Sequence, residues 1–453
     1  MEIGNWTLGI KFVFKVMTKH SSKTILFSIL ILPVFFSGLF AGLSPCKEPA
    51  PPPATLEFWS VFDGSDIYQP LIAEFKTQYP HISINYYKKS INIYEKDLVD
   101  ALAAGRGPDI FSIHNTWLPK HKDKLAPAPD VLITPQKFRE VFVDVAAQDF
   151  IDGGKIYAFP WAVDTLTLFY NKDLLNSAGI VSPPQTWADF NSAVEKLVRR
   201  DAKNNILQAG AALGTARNIN RSTDILTALM LQSGAKMVSD DHSYAAFDQS
   251  VSSGAGDSFN PGQQTLLYYT NFANPAKRVY TWNQYQHYSI DAFVEGKAAM
   301  MLNYAYQIPV IKARSPHLNF GVAALPQISQ SGAKVNYANY WGQAVAKNSQ
   351  YQAYAWQFLA WLAAAEPQKK YLAAVQKPSA RRDLIEAQKS DEVLGVFSQQ
   401  ALSAKSWWQI DNSAIEQIFA DMIESIVSGS ATADDALRAA SQRVTLLMRG
   451  EAQ

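Results

Sequence analysis

The sequence predicts an α/β fold whose parallel sheet carries helices on both faces, and three observations predict it. Strand-like and helix-like runs alternate from Leu56 to Ile113. The composition, 48% hydrophobic and 18% charged over 453 residues, is that of a globular chain long enough for two or three domains of about 150 residues each. A single cysteine removes any disulfide framework, so a packed core must hold the fold.

The elements follow in order. Leu56-Glu57-Phe58-Trp59-Ser60-Val61 reads as a short strand. Ser65-Asp66 has helix-cap chemistry, and Ile67, Leu71 and Phe75 then fall four apart until Pro80 ends the helix. Ile82, Ile84 and Tyr86 alternate as a strand, a helix bearing Leu98 and Leu102 stops at Gly105, and Ile110, Phe111 and Ile113 make a buried strand. Ligands of such sheets bind beyond the carboxyl ends of the strands, which directs attention to the residues after Trp59 and after Ile113. Farther on, Thr186-Trp187-Ala188-Asp189 reads as a capping box, Ser222 opens a helix closed by Gly234, and Asp240 to Gly262 reads as a surface loop. A helix ends near Gly296, and Ala298 to Leu302 reads as a buried strand. Helical periodicity returns at Ser349–Ala364, Ile415–Val427 and Thr432–Met448.

Charge and motifs exclude whole classes of function. Before Cys46 there are four Lys and one acid, which leaves 37 basic and 39 acidic residues beyond it and no footprint of a general nucleic-acid binder. One cysteine excludes a CxxC redox pair and a thiolate zinc cluster. The chain has no G-x-S-x-G, H-E-x-x-H or G-x-x-x-x-G-K motif, and no G-x-G-x-x-G after a strand. The seven His are scattered, and His81, His114 and His121 read as surface or loop residues rather than ligands. No cofactor or metal is expected. The unusual quantity is aromatic: 24 Phe, 20 Tyr and 11 Trp.

The N-terminus reads as a leader, residues 1–46, followed by a proline-rich tether, residues 47–54. Thr24 to Ser44 is uncharged and apolar behind Lys11, Lys15, Lys19 and Lys23, which places the N-terminus in the cytoplasm. A start at Met17 would give a leader of ordinary length. Leu43-Ser44-Pro45-Cys46 resembles a bacterial lipobox, with Cys46 as the lipidated residue and Pro45 where the pattern has Gly, Ala or Ser. The alternative is an uncleaved anchor helix with a chance cysteine behind it. Either reading tethers the rest of the chain outside the cytoplasm.

Five segments, in order, carry a resemblance. They are Ala103-Ala104-Gly105-Arg106-Gly107-Pro108-Asp109-Ile110; Gly154 to Trp161 with Leu168 to Asp173; Ala292 to Met300; Tyr340-Trp341-Gly342; and Pro378 to Asp383. Together they resemble the extracellular solute-binding proteins of ABC transporters, family 1. The resemblance implies the two-lobe type II periplasmic-binding-protein fold, with a ligand cleft between lobes joined by crossing hinge strands. One lobe would be Thr55–Ala162 plus Leu325–Ala380, the other Val163–Ala324 plus Arg381–Gln453. The crossings would fall at Phe159 to Thr165 and at Gly321 to Pro326.

The resemblance also implies an extracytoplasmic, non-catalytic receptor, monomeric, that captures a carbohydrate and delivers it to ABC permease subunits with their ATPase. Aromatic faces would cover the C–H faces of sugar rings, and carboxylate, amide or guanidinium groups would bind the hydroxyl rim. The expected ligand-binding residues are Trp59, Asp63, Asn115, Trp117, Trp161, Asp164, Asn303, Tyr306, Trp341, Arg381 and Trp407. Arg221 could reach the cleft before its helix but reads as solvated, Asp109 as a turn anchor, and Trp187, Trp356 and Trp361 as structural. A polyamine or glycerol phosphate binder, an extracytoplasmic glycan-active enzyme and a surface lectin stand as alternatives.

Overall fold

The structure, a computed structural model, describes residues 51–252 and 257–451. Cys46 and the apolar leader lie outside the described residues. From Ala54 the β-α-β-α-β reading holds: strands Ala54–Val61, Ile82–Lys89 and Ile110–His114 alternate with helices Ser65–Gln78 and Tyr94–Ala103. Ala54–Val61 pairs in parallel with both of its neighbours. The first helix buries Tyr68, Leu71, Ile72 and Phe75, but its N-cap is Gly64 and no side chain caps it. The Ser65-Asp66 cap expected from sequence is therefore not made.

The first sheet is mixed rather than wholly parallel, because the late strand Trp341–Ala346 enters it antiparallel to Ile110–His114. Asp109 fastens this entry, accepting from the Glu57 N–H at 2.9 Å and the Ser349 hydroxyl at 2.5 Å. Gly342 is required in the late strand, since a Cβ there would lie 2.7 Å from ring carbons of Phe150. The second sheet is antiparallel, with Thr167–Asn171 between Met300–Asn303 and Phe320–Ala323. Thr186 and Asp189 form the expected capping box, and the Trp187 indole donates to Gln232 at 2.6 Å as a buried plug. The loop expected from Asp240 contains short paired strands, Val251–Ser252 and Ser258–Phe259, and helix Pro261–Asn271 then begins.

Two hydrophobic cores result, one per lobe. The first gathers Leu56, Phe58, Phe75, Ile113, Phe159 and Trp356; the second gathers Leu168, Phe169, Phe190, Met300 and Phe419. Trp361, expected in a core, is only partly buried at the edge of the first. Between the cores lies a small sheet in which Asn336–Asn339 pairs with Asp164–Thr165 on one side and Ala404–Lys405 on the other.

Around the first expected crossing, Phe159–Pro160 joins the first sheet and Asp164–Thr165 the middle one. The second comes later than Gly321 to Pro326. Phe320–Ala323 is still an edge of the second sheet, Leu325 and Tyr337 pack in the second core, and only Ala338 passes to the first. Beyond Arg381 the chain also departs from the expected division, because Ile385, Ala401 and Ala404 pack in the first core and Phe397 and Trp407 in the second. Pairing across the middle sheet decides these passages, and apolar runs do not encode which core receives them.

Candidate functional site

A cavity of about 860 Å³ lies where the two lobes face each other, within the usual size of ligand clefts. Strand ends of the first sheet supply one wall. Trp117 follows Ile110–His114, and Trp341 opens the strand beside it, so the two indoles meet edge to face at 5.1 Å between ring centres. Tyr94 stacks on Trp117 at 6.1 Å, and Phe62 meets Trp341 edge-on at 5.8 Å. Each ring is thus braced by another before any solute arrives. Asp63 accepts from Lys377 at 2.6 Å and from the Tyr371 hydroxyl at 2.7 Å.

The second lobe supplies a more polar wall. Arg221 precedes helix Ser222–Gln232, and its Nε donates to the Tyr306 hydroxyl at 2.9 Å. Asp224, in the first turn of that helix, accepts from the Tyr304 hydroxyl at 2.8 Å and from Asn339 Nδ2 at 3.4 Å. Asn339 Oδ1 lies 3.3 Å from His114 Nε2, which carries the polar chain across to the first lobe. Burial pushes the Asp224 carboxyl above its ordinary value, against the pull of Arg221. Burial pushes His114 down to about 4, so it is neutral at pH 7. Glu416 also faces the cavity, and burial raises its carboxyl, with Asp224 adding to the effect.

Asp164 sits at the crossing itself. Its carboxylate accepts backbone N–H groups of Thr165 at 2.9 Å, Ala305 at 3.0 Å and Tyr306 at 3.3 Å. Burial nonetheless raises it to about 7, the N–H donors opposing. The indole N–H groups of Trp161 and Trp407 find no acceptor among the described residues. A buried donor left unpaired costs about 1–3 kcal/mol. Both rings line the cavity. On one side the walls touch: Lys120 pairs with Asp411 at 2.6 Å and with Glu95 at 2.8 Å, and the Trp117 indole donates to Asn412 at 3.0 Å.

Of the residues singled out in the sequence, Asp63, Trp117, Trp161, Asp164, Tyr306, Trp341 and Trp407 line this cavity. Four do not. Trp59 alternates with the buried Phe58 and Ser60, and its ring lies beneath the Lys89 ammonium at 3.6 Å. Asn115 is buried, donating to Asp149 at 3.0 Å, and its N–H pairs with the Tyr340 carbonyl. Asn303 is fully buried, joining Asn220 at 3.1 Å and capping the Tyr304 N–H. Arg381 turns back on Asp383 and the Ala363 carbonyl.

The sequence reading missed Asp224, Asn339, Lys377 and Glu416 as cavity residues, along with Phe62, and set Arg221 in solvent although it lines the cavity. Asp224 looks like first-turn helix chemistry, and Lys377 and Glu416 like solvated charges. The signal available was position: Phe62 directly follows the first strand.

Comparison with known proteins agrees with this architecture. The profile of the family described as bacterial extracellular solute-binding protein matches residues 62–369. The maltotriose-binding protein of Pyrococcus abyssi is 25% identical over 299 residues, covering 65% of this chain and 59% of that protein. The arabinooligosaccharide-binding protein of Bacillus subtilis is 29% identical over 177 residues, covering 37% and 40%. The structure of the sugar-binding protein MalE from Xanthomonas citri superposes with a TM-score of 0.71 at 23% identity, covering 88% of this chain and 98% of that one.

Proposed function

The chain belongs to the bacterial extracellular solute-binding protein family, and on that premise we propose that it is the carbohydrate receptor of an ABC importer. The observation that carries this reading is the make-up of the cavity. Braced aromatic rings on one wall face carboxylates, amides and a guanidinium on the other, the two chemistries a sugar ring presents on its faces and its rim.

The receptor works by capture without turnover. Solute enters between the lobes, bridges the aromatic and polar walls, and favours the closed form by its extra contacts there. The middle sheet, in which Asn336–Asn339 pairs with Asp164–Thr165, is the hinge. The closed form then docks on permease subunits coupled to an ATPase. The leader holds the receptor at the outer face of the cell membrane, through a lipid on Cys46 or through the leader as an anchor. The two alternatives separate on whether Cys46→Ser abolishes incorporation of labelled fatty acid.

A thermal-shift screen tests the ligand class. Neutral mono- and oligosaccharides, spermidine and glycerol 3-phosphate are offered singly to the full-length chain. A sugar is expected to raise the melting temperature in proportion to the logarithm of its concentration once well above Kd. Stabilisation by spermidine or glycerol phosphate alone would overturn the carbohydrate reading. Release of shorter sugars during incubation would overturn the receptor reading in favour of an enzyme.

A further inference from the structure

Among the described residues, five other than glycine have a positive φ: Phe62, Asn204, Arg221, His242 and Gln376. Three have ordinary local reasons. Asn and His tolerate the left-handed region better than most residues, and Gln376 terminates helix Ala365–Val375 as a left-handed cap. Phe62 and Arg221 have no such reason. Both line the cavity, one on each wall.

Phe62, with φ of 68°, is the centre of a tight turn in which the Asp63 N–H donates to the Val61 carbonyl at 2.8 Å. A three-residue turn with positive φ at its centre is a strained form. The turn leaves the Phe62 ring half exposed, at 50%, against the edge of Trp341. Val61 pairs in register with Lys89, and Ile91, two residues past that strand position, lines the cavity along with Phe62. Ile91 and Ile93 are also half exposed, at 43% and 54%, and line the same cavity. The result is an apolar lip at the mouth, whereas Trp161 and Trp407, at 2% and 6%, belong to the floor.

Arg221, with φ of 62°, stands as the N-cap of helix Ser222–Gln232 without making a side-chain cap. Its Nε is held by Tyr306, and its two terminal nitrogens have no hydrogen-bond partner among the described residues. Strained backbone persists where the surroundings over-determine it, and it concentrates at ligand clamps.

We propose that Phe62 and Arg221 are specificity-determining contacts held ready by strained backbone, Phe62 as the platform for an outer ring of an oligosaccharide and Arg221 as the fork for ring hydroxyls. This rests on the carbohydrate reading above and deepens it. A monosaccharide seated on the floor does not reach the lip; a longer chain does. Backbone strain is thereby exchanged for preorganisation, so relieving it should leave the fold intact and weaken binding.

The test uses the full-length chain with maltotriose, arabinotriose and their monosaccharides as probes, titrated by calorimetry, and urea unfolding without sugar. Phe62→Gly and Arg221→Gly are each expected to unfold at a urea concentration equal to or above wild type. Each should bind the better trisaccharide about tenfold more weakly or worse, as expected on losing a principal contact. Phe62→Tyr, which keeps the ring, should bind within about threefold of wild type. The loss from Phe62→Gly should be smaller for the monosaccharide than for the trisaccharide. Unchanged trisaccharide affinity in both Gly variants would overturn the proposal while leaving the carbohydrate reading intact. A lowered unfolding midpoint with unchanged affinity would show these residues to be structural. If wild type binds none of the four sugars, this inference fails, and the wider screen above decides the carbohydrate reading.

Discussion

The two walls of the cleft solve one problem by different means. The first-lobe wall is a set of rings that hold one another: Tyr94 on Trp117, Trp117 on Trp341, Phe62 on Trp341. The second-lobe wall is a set of hydrogen-bonded polar groups: Arg221 on Tyr306, Tyr304 on Asp224, Asn339 on Asp224. Ring packing is short-ranged and keeps its geometry when a neighbour is removed from the far side. A buried polar network does not, since a group left unpaired there costs more than its bond contributed. The aromatic wall should therefore tolerate single truncations with local loss of affinity. The polar wall should respond to pH and to changes several residues away.

The largest expected effect separates wall from core. Trp356 is buried to 1% behind the aromatic wall and meets Phe159 edge to face at 5.3 Å. Its truncation to Ala should lower stability by about 3–5 kcal/mol, leaving intrinsic affinity nearly unchanged in the folded fraction, by chemical denaturation paired with calorimetry. Trp341→Ala should do the reverse, weakening binding of whichever solute the thermal screen identifies by about 1–3 kcal/mol at modest cost to folding. Wild-type affinity in Trp341→Ala would mean that the aromatic wall is not the sugar platform.

The polar side is sharpened by pH. Asp164 has its folded pKa raised to about 7 by burial, above an unfolded value of about 3.9. The folded state therefore holds the extra proton between these values, and this contribution to stability falls as pH rises through that window. Asp164→Asn cannot lose a proton, so the stability difference between wild type and variant should favour wild type more at pH 5 than at pH 7.5. Urea midpoints at the two pH values measure it; a difference that grows with pH would contradict the burial argument.

The smallest effect concerns the side where the walls touch. The Lys120–Asp411 pair is partly exposed, at 33% and 25%, so its share is of the order of 0–1 kcal/mol. Asp411→Asn should shift small-angle scattering slightly toward a larger radius of gyration and leave the core unfolding unchanged. No change at low salt would mean that the Trp117–Asn412 bond closes this edge without the ion pair.

Local chemistry was legible in the sequence. Period-two and period-four spacing placed the first strands and helices, Thr186 and Asp189 announced their cap, and the aromatics at strand ends pointed to Trp117, Trp161 and Trp341. Each depends on residues within a few positions of one another or on the rule that strand ends face ligands. Asn115 and Asn303 show the limit of that rule. Both sit where the rule looks, yet each is drawn inward to satisfy a buried neighbour, Asp149 in one case and Asn220 in the other.

The sequence by itself determined that this chain forms α/β layers, that aromatics stand at strand ends, crossings or loops, and that the chain has the segments of a solute-binding family. The tertiary structure alone decided which strand enters the sheet antiparallel, where the chain last changes core, and that Arg221, Asp224 and Glu416 meet at one cavity. The reason is separation along the chain. Asp224 and Asn339 lie 115 residues apart, and no local pattern records a contact made only when two lobes fold and face each other.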